Sequence, residues 1–226
     1  KLLFKFFYSY CSLISTSSNE IKNYIIKEYK INDNKIYYNW NFVDTEIFRP
    51  LNLKKNNRLL YIGRLTDVKN IYLLLKSIKG TNFGLDIIGD GYLKNQISTY
   101  IKNQKLDVKI LPTCNNSDLP NLINQYSLYI LCSKIEGNPK TLLEVMSCGI
   151  PVIGTNVPGI KEIVINNYNG LLTSENEIDL RNNIIKLYKN KNKQNTLAIN
   201  ARNLILKNCS IKSYLDFEIS VINKLL

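Results

Sequence analysis

From about residue 58 onward, this chain alternates short, largely apolar runs with longer amphipathic stretches. The apolar runs are 59–64, 85–89, 108–111, 128–133, 152–155 and 170–172. The stretches between and after them read as helices over roughly 70–79, 91–104, 117–126, 140–148, 159–166 and 176–190. A strand with one face in water alternates apolar and polar residues, whereas a strand apolar along its whole length is buried on both faces. Separated by helices, such strands predict a doubly wound α/β fold, a parallel sheet covered on both sides. Folds of this kind bind ligands at the carboxyl ends of their strands, so a site is to be sought in the residues that follow each apolar run.

The two ends of the chain depart from that pattern. Residues 1–8 read as a basic apolar helix, 12–15 as a strand, 19–29 as a helix, and Ile36-Tyr37-Tyr38 as a further strand before a turn over 39–44. So small a unit has no sheet of its own to close, and it reads as the tail of a preceding domain plus a linker, 1–50. The large domain is expected over 51–208. The stretch 194–226 reads as helical with a break near Asn208-Cys209-Ser210, so 209–226 is expected to form a C-terminal helix packing back toward the N-terminal part. A sequence that begins with Lys1 rather than Met is expected to lack its true N-terminus. No apolar run reaches the roughly 18 residues that span a bilayer, and 2–8 carries no cleavage-site pattern.

Residue chemistry narrows the function classes. The chain has no His, which excludes Ser-His-Asp catalysis, imidazole bases and His-bearing metal sites. Its five Cys (11, 114, 132, 148, 209) are odd in number and lack C-x-x-C spacing, as expected of reduced thiols in a cytoplasmic protein. The net charge of +12 comes mostly from Lys; only Arg49, Arg58, Arg64, Arg181 and Arg202 are Arg. Heavy use of Lys, Asn, Ile and Tyr is the pattern of an AT-rich coding bias, so the charge reads as a solvated Lys-rich surface rather than a nucleic-acid interface.

Three motifs fall where ligands are expected. In Tyr61-Ile62-Gly63-Arg64-Leu65-Thr66-Asp67-Val68-Lys69, Gly63 lets a ligand approach the strand end, Arg64 offers a fork for phosphate oxygens, and Lys69 adds a mobile charge at the start of the next helix. The plainer reading is an exposed strand-end Arg and a surface Lys. Ile87-Ile88-Gly89-Asp90-Gly91-Tyr92-Leu93-Lys94 falls short of a dinucleotide fingerprint because Lys94 holds the third glycine position, which leaves a tight strand-to-helix turn as the main reading. The third motif carries two glutamates eight positions apart, Glu136 and Glu144, in Glu-Gly-Asn-Pro-Lys-Thr-Leu-Leu-Glu-Val-Met-Ser-Cys-Gly-Ile-Pro. Asn138 reads as an N-cap and Pro139 as the first helical residue, which leaves free N–H groups near Lys140 and Thr141 for a phosphate. Glu144 stands among Leu142, Leu143, Val145 and Met146, and a carboxylate in such company needs a partner. That partner is either a ligand hydroxyl or Lys140 at i, i−4.

The order G-R-L-x-x-x-K, I-I-G-D-G, E-G-N-P-K-T-L-L-E-V-M-S-C-G-I-P-V-I, V-P-G-I-K-E-I-V and N-G-L-L resembles the C-terminal half of retaining glycosyltransferases of family 4, which have the GT-B fold. The resemblance implies a Rossmann-like donor-binding domain, with an acceptor-binding domain ahead of it whose tail would be 1–50. It implies that Gly63, Arg64 and Lys69 hold the diphosphate of a UDP-, GDP- or similar nucleotide sugar, and that Glu136 lies by the donor sugar as nucleophile or as positioning group. Glu144 would bind the ribose, Thr113 and Cys114 would meet the base, and Asn138, Lys140, Thr141, Leu142 and Leu143 would line the phosphate and sugar. It further implies no metal, a glycan, lipid or small-molecule acceptor, and no turnover by this segment alone; the basic helix over 1–8 reads first as packed under the preceding domain and second as a peripheral contact with the inner membrane face. A non-catalytic nucleotide-sugar-binding module and a nucleotide-sugar 2-epimerase relative are the rival readings.

Overall fold

The computed structural model describes residues 2–224. A six-stranded sheet forms its centre: β3 (Arg58–Ile62), β4 (Gly84–Ile88), β5 (Val108–Leu111), β6 (Tyr129–Leu131), β7 (Val152–Thr155) and β8 (Leu171–Thr173). The spatial order is β5-β4-β3-β6-β7-β8, and every pairing is parallel. The chain first builds outward from β3 to β5, then returns and builds outward from β6. The switch point between β3 and β6 is where such a sheet opens a crevice at its carboxyl edge.

Alternation within each strand explains the two-sided core. Leu60 and Ile62 of β3, with Tyr129 and Leu131 of β6, pack into one layer under α6 (Lys140–Ser147) and α9 (Lys191–Asn208). Leu59 and Tyr61, with Leu128, Ile130, Leu85 and Ile87, pack into the other under α3 (Ile71–Ile78), α4 (Lys94–Asn103) and α8 (Glu177–Tyr188). Both sets are buried, hence the largely apolar runs in the sequence. Two short helices complete the domain, α5 (Leu119–Ile123) and α7 (Pro158–Lys161). The expected helices are thus all present but shorter, most visibly at 159–166, where α7 is a single turn.

The N-terminal unit consists of α1 (Leu2–Tyr10), β1 (Ile14–Thr16), α2 (Asn19–Tyr29) and β2 (Ile36–Tyr38). Lys1, assigned above to the first helix, lies outside the described residues. β1 and β2 pair in parallel over a small core of Ile14, Ile25, Tyr29, Ile31 and Ile36. The last helix, α10 (Ile211–Ile222), lies against this unit: Tyr37 Oη and Asn39 Nδ2 donate to Glu218 at 2.7 and 2.9 Å, and Phe42 and Tyr214 rings sit 5.0 Å apart. All five Cys are free. Cys132, Cys148 and Cys209 are buried, and burial pushes each thiol up to about 12.

Candidate functional site

The carboxyl ends of β3, β4 and β5 enclose a cleft of about 330 Å³, lined by Gly63, Arg64, Gly89, Asp90, Thr113, Cys114 and the apolar side chains Ile62, Ile88 and Leu119. The loops after β3 and β4 are laced together: Gly63 N donates to Ile88 O, Leu65 N to Asp90 O, and Leu93 N to Leu65 O. The lacing is tight enough that a Cβ on Gly89 would come within 1.9 Å of Gly63 O, so only glycine fits there. Asp90 is engaged by Lys94 at 3.0 Å and by the Gly91 N–H. Lys94 first, then that N–H, holds its carboxyl below the usual range. Arg64 stands at the rim, exposed; its carbonyl accepts from Tyr61 Oη, and its guanidinium has no hydrogen bond or ion pair to any described residue.

The second half of the site gathers around Glu136. Lys69 is not in the first turn of α3 as expected. It ends a short 3₁₀ turn, Asp67–Lys69, and Asn70 takes up a left-handed conformation (φ +51°) before α3 begins. Lys134 N donates to Val68 O, which fixes this turn against the end of β6. There Lys69 Nζ reaches Glu136 Oε1 at 2.5 Å, and Ser133 Oγ donates to the same oxygen at 2.6 Å. Thr155 Oγ1, at the end of β7, holds Ser133 O at 2.5 Å. Three neighbouring strand ends thus converge on one carboxylate.

α6 starts at Lys140, where the 140–148 reading puts it, but Pro139 takes the cap rather than the first helical position. The first backbone bond runs from Leu142 N to Pro139 O, leaving the amides of Lys140 and Thr141 ahead of the ladder. Asn138 makes no N-cap bond; its Oδ1 accepts instead from the Asn41 N–H. The far end closes as the sequence suggests, with Gly149 left-handed (φ +67°), Gly149 N on Met146 O and Ile150 N on Val145 O. Leu142 and Leu143 are core side chains, so only their backbone faces the site.

Glu144 is 4% exposed, and no described residue gives its carboxylate a hydrogen bond or an ion pair. Burial pushes its carboxyl up to about 7, against the weaker opposing pull of Lys140. The Lys140–Glu144 pair weighed above does not form: Lys140 Nζ lies 5.7 Å over the Phe42 ring. Both glutamates are felt at one phenol. Tyr129, fully buried and donating to Ile62 O, is raised well above its usual range by burial first, then by Glu136, Cys132 and Glu144. Among the described residues, no group of three or more Cys, Asp or Glu is placed to hold a metal ion.

This geometry has known counterparts. The family model for glycosyl transferases group 1 matches residues 43–204. The chain belongs to that family. Its doubly wound sheet is that of the Rossmann-like domains of GT-B glycosyltransferases. A glycosyltransferase from Rickettsia africae superposes with a TM-score of 0.86 at 22% identity, covering 99% of this chain and 67% of that one. An Anabaena protein crystallised with UDP and glucose superposes with a TM-score of 0.84 at 19% identity, over 94% of this chain and 63% of that one. Among curated relatives, the Escherichia coli UDP-Gal:alpha-D-GlcNAc-diphosphoundecaprenol alpha-1,3-galactosyltransferase is 30% identical over 218 residues, 88% of this chain. The chain spans 56% of that relative's length.

Within this glycosyltransferase domain the structure also shows what the sequence reading passed over. Ser133, itself held by Thr155, orders Glu136, Tyr129 lies buried within the field of both glutamates, Asp90 and Leu119 line the cleft, and Asn41 reaches Asn138. Thr155 ends β7 and Ser133 follows two residues after β6, positions at the carboxyl edge that could have marked them. Asn41 lies 97 residues from its partner, and nothing local announces it.

Proposed function

We infer that this chain carries the donor site of a retaining glycosyltransferase of family 4 type, which moves a sugar from a nucleoside diphosphate to an acceptor. The observation that carries the reading is Glu144, a carboxylate on a core helix with no protein partner. Its oxygens are not among the buried side-chain atoms sealed off without a partner, so hydroxyls of a ribose can reach them. The apolar cleft with Thr113 and Cys114 suits a base, and the unpaired Arg64 at its rim suits a diphosphate. The amides of Lys140 and Thr141 add the partial positive charge of a helix start. With Lys69 they would stabilise the leaving diphosphate without a metal. Glu136 enters as a sugar-positioning group: one of its oxygens already takes bonds from Lys69 and Ser133, which blunts it as a nucleophile.

UDP is the favoured nucleotide, because both the galactosyltransferase relative and the Anabaena structure name it. A lipid-linked diphosphate sugar is the favoured acceptor class, after the same relative. Among the described residues no helix is long and apolar enough to cross a membrane. A peripheral contact at the cytoplasmic face fits α1, which presents Leu2, Leu3, Phe4, Phe6 and Phe7 to solvent around Lys5.

Titration calorimetry with UDP tests the site. Arg64→Ala is expected to weaken binding about 10- to 100-fold, the value of a charge-assisted bond to phosphate. Unchanged affinity would remove Arg64 from the site. Thiol alkylation gives an independent check: Cys114, half-buried in the cleft, should be protected by UDP, whereas exposed Cys11 should react at the same rate with or without it. Equal protection of both, or of neither, would argue against base binding beside Cys114.

A further inference from the structure

The segment that runs from β2 into the large domain grips the Glu136 loop at several points. Asn41 makes two hydrogen bonds to one residue, its backbone N–H to Asn138 Oδ1 at 3.1 Å and its Nδ2 to Asn138 O at 2.8 Å. Phe42 lies under the Lys140 ammonium. Tyr38 Oη and the Asn19 N–H both donate to Glu162 Oε2, at the end of α7. α7 in turn lies hard against the loop, since a Cβ on Gly159 would come within 2.2 Å of both Glu136 O and Gly137 O.

The pairing also sets how the Asn138 amide is turned. Oδ1 must face the Asn41 N–H, so Nδ2 points inward, where it is sealed from solvent and has no acceptor. Trp40 Nε1 is in the same condition, and these two are the sealed side-chain donors or acceptors without a partner among the described residues. Both fall at this one junction. Packing selected for stability alone satisfies such groups; their presence side by side marks a place where the loop is held for another reason.

We propose that Asn138 is a positioning residue for the donor sugar: tied by Asn41 to the incoming segment, it sets where the carboxylate of Glu136, two residues away, meets that sugar. This rests on the donor-site reading above. Lys69 and Ser133 hold Glu136 from the far side, so the loop is clamped at both ends and a shift at Asn138 reaches the carboxylate. The base cleft and Arg64 belong to the ends of β3, β4 and β5 and do not depend on residue 138. α6, whose Lys140 and Thr141 amides also face the diphosphate, is held by its core residues Leu142, Leu143, Val145 and Met146, so UDP reports on the cleft and the helix start, and UDP-glucose adds the sugar.

Calorimetry with UDP and with UDP-glucose, on the wild-type chain, Asn138→Ala, Asn41→Ala and the double variant, tests the inference. Each single variant is expected to lose about tenfold in affinity for UDP-glucose while UDP binding stays within about twofold, and the double variant is expected to lose no more than either single one. A fall shared equally by the two ligands would show a merely structural role and overturn the inference. So would losses that add in the double variant, or an unchanged ratio. Should Asn138→Ala fail to fold, Asn41→Ala reads the same ratio from the other partner. A wild-type chain that binds neither ligand would remove the donor-site reading and this inference with it.

Discussion

Glu144→Gln is expected to make the ligand-free protein more stable at pH 8 and a poorer binder of UDP. The carboxyl titrates near 4.5 when unfolded and is pushed up to about 7 in the fold. Between those values the folded state holds a proton that the unfolded state has released, so stability falls as pH rises. The loss begins near pH 4.5 and is complete once the pH passes about 7. A displacement of that size corresponds to about 3 kcal/mol at 1.36 kcal/mol per pH unit. Gln keeps the shape, removes the buried charge, and should abolish that part of the slope. The thermal midpoint at pH 8 should rise by roughly 6–12 °C, with little change at pH 4.5. Nucleotide affinity should drop about tenfold, because an amide accepts more weakly from ribose hydroxyls than a carboxylate does. Scanning calorimetry of both proteins across pH 4.5–8.5 decides the matter: parallel pH profiles would mean that Glu144 is not buried as a charge-bearing group. A residue whose removal stabilises the empty protein while weakening its ligand is retained for the ligand.

Arg58→Met should have the opposite character, a large loss of stability with no loss of binding. Arg58 Nε meets Asp86 at 2.6 Å, its NH1 meets Asp107 at 2.8 Å, and its NH2 donates to Leu85 O and Asp107 O. Asp86 is 5% exposed and has one other side-chain partner, the Tyr126 hydroxyl at 2.7 Å. Without the guanidinium, Asp86 is a buried charge lacking its counter-ion, which costs about 3–5 kcal/mol. Asp86→Asn placed on top of Arg58→Met should recover part of that loss by removing the charge. Chemical denaturation measures both variants, and a shift below about 1 kcal/mol for Arg58→Met would show the pair to be replaceable by solvent. UDP affinity should stay at the wild-type value, because Arg58 opens β3 and the cleft lies at that strand's other end.

The sheet was legible in the sequence because burial on both faces writes itself locally, as short runs dominated by apolar residues. Six such runs became six parallel strands. Helix ends were less legible. Asn138 has the residue type of an N-cap and Pro139 the type of a first helical residue, yet Asn138 is turned toward Asn41, and α6 starts at Lys140. Propensity describes what a side chain can do beside its own backbone; a partner 97 residues away can outbid it. The site divides the same way. That Glu144 needed an explanation was visible from its apolar neighbours. That Lys69 and Glu136 would meet at 2.5 Å was not, because they are 67 positions apart and the chain between them carries no sign of which strand ends become neighbours.

Arg58 and Arg64 show where the boundary falls. They bracket the same strand, and the sequence determined that much: an apolar run buried on both faces, with a guanidinium at each edge. Only the tertiary structure decided what each one does. The register of β4 and the start of β5 bring Asp86 and Asp107 to Arg58, and no described acid or acceptor comes to Arg64. Burial and backbone pairing act through a residue's own nature and its neighbours in the chain, so they can be read from order alone. Whether a charge is spent inside the fold or left facing a cleft depends on which groups the fold sets opposite it, and that is a property of the assembled sheet.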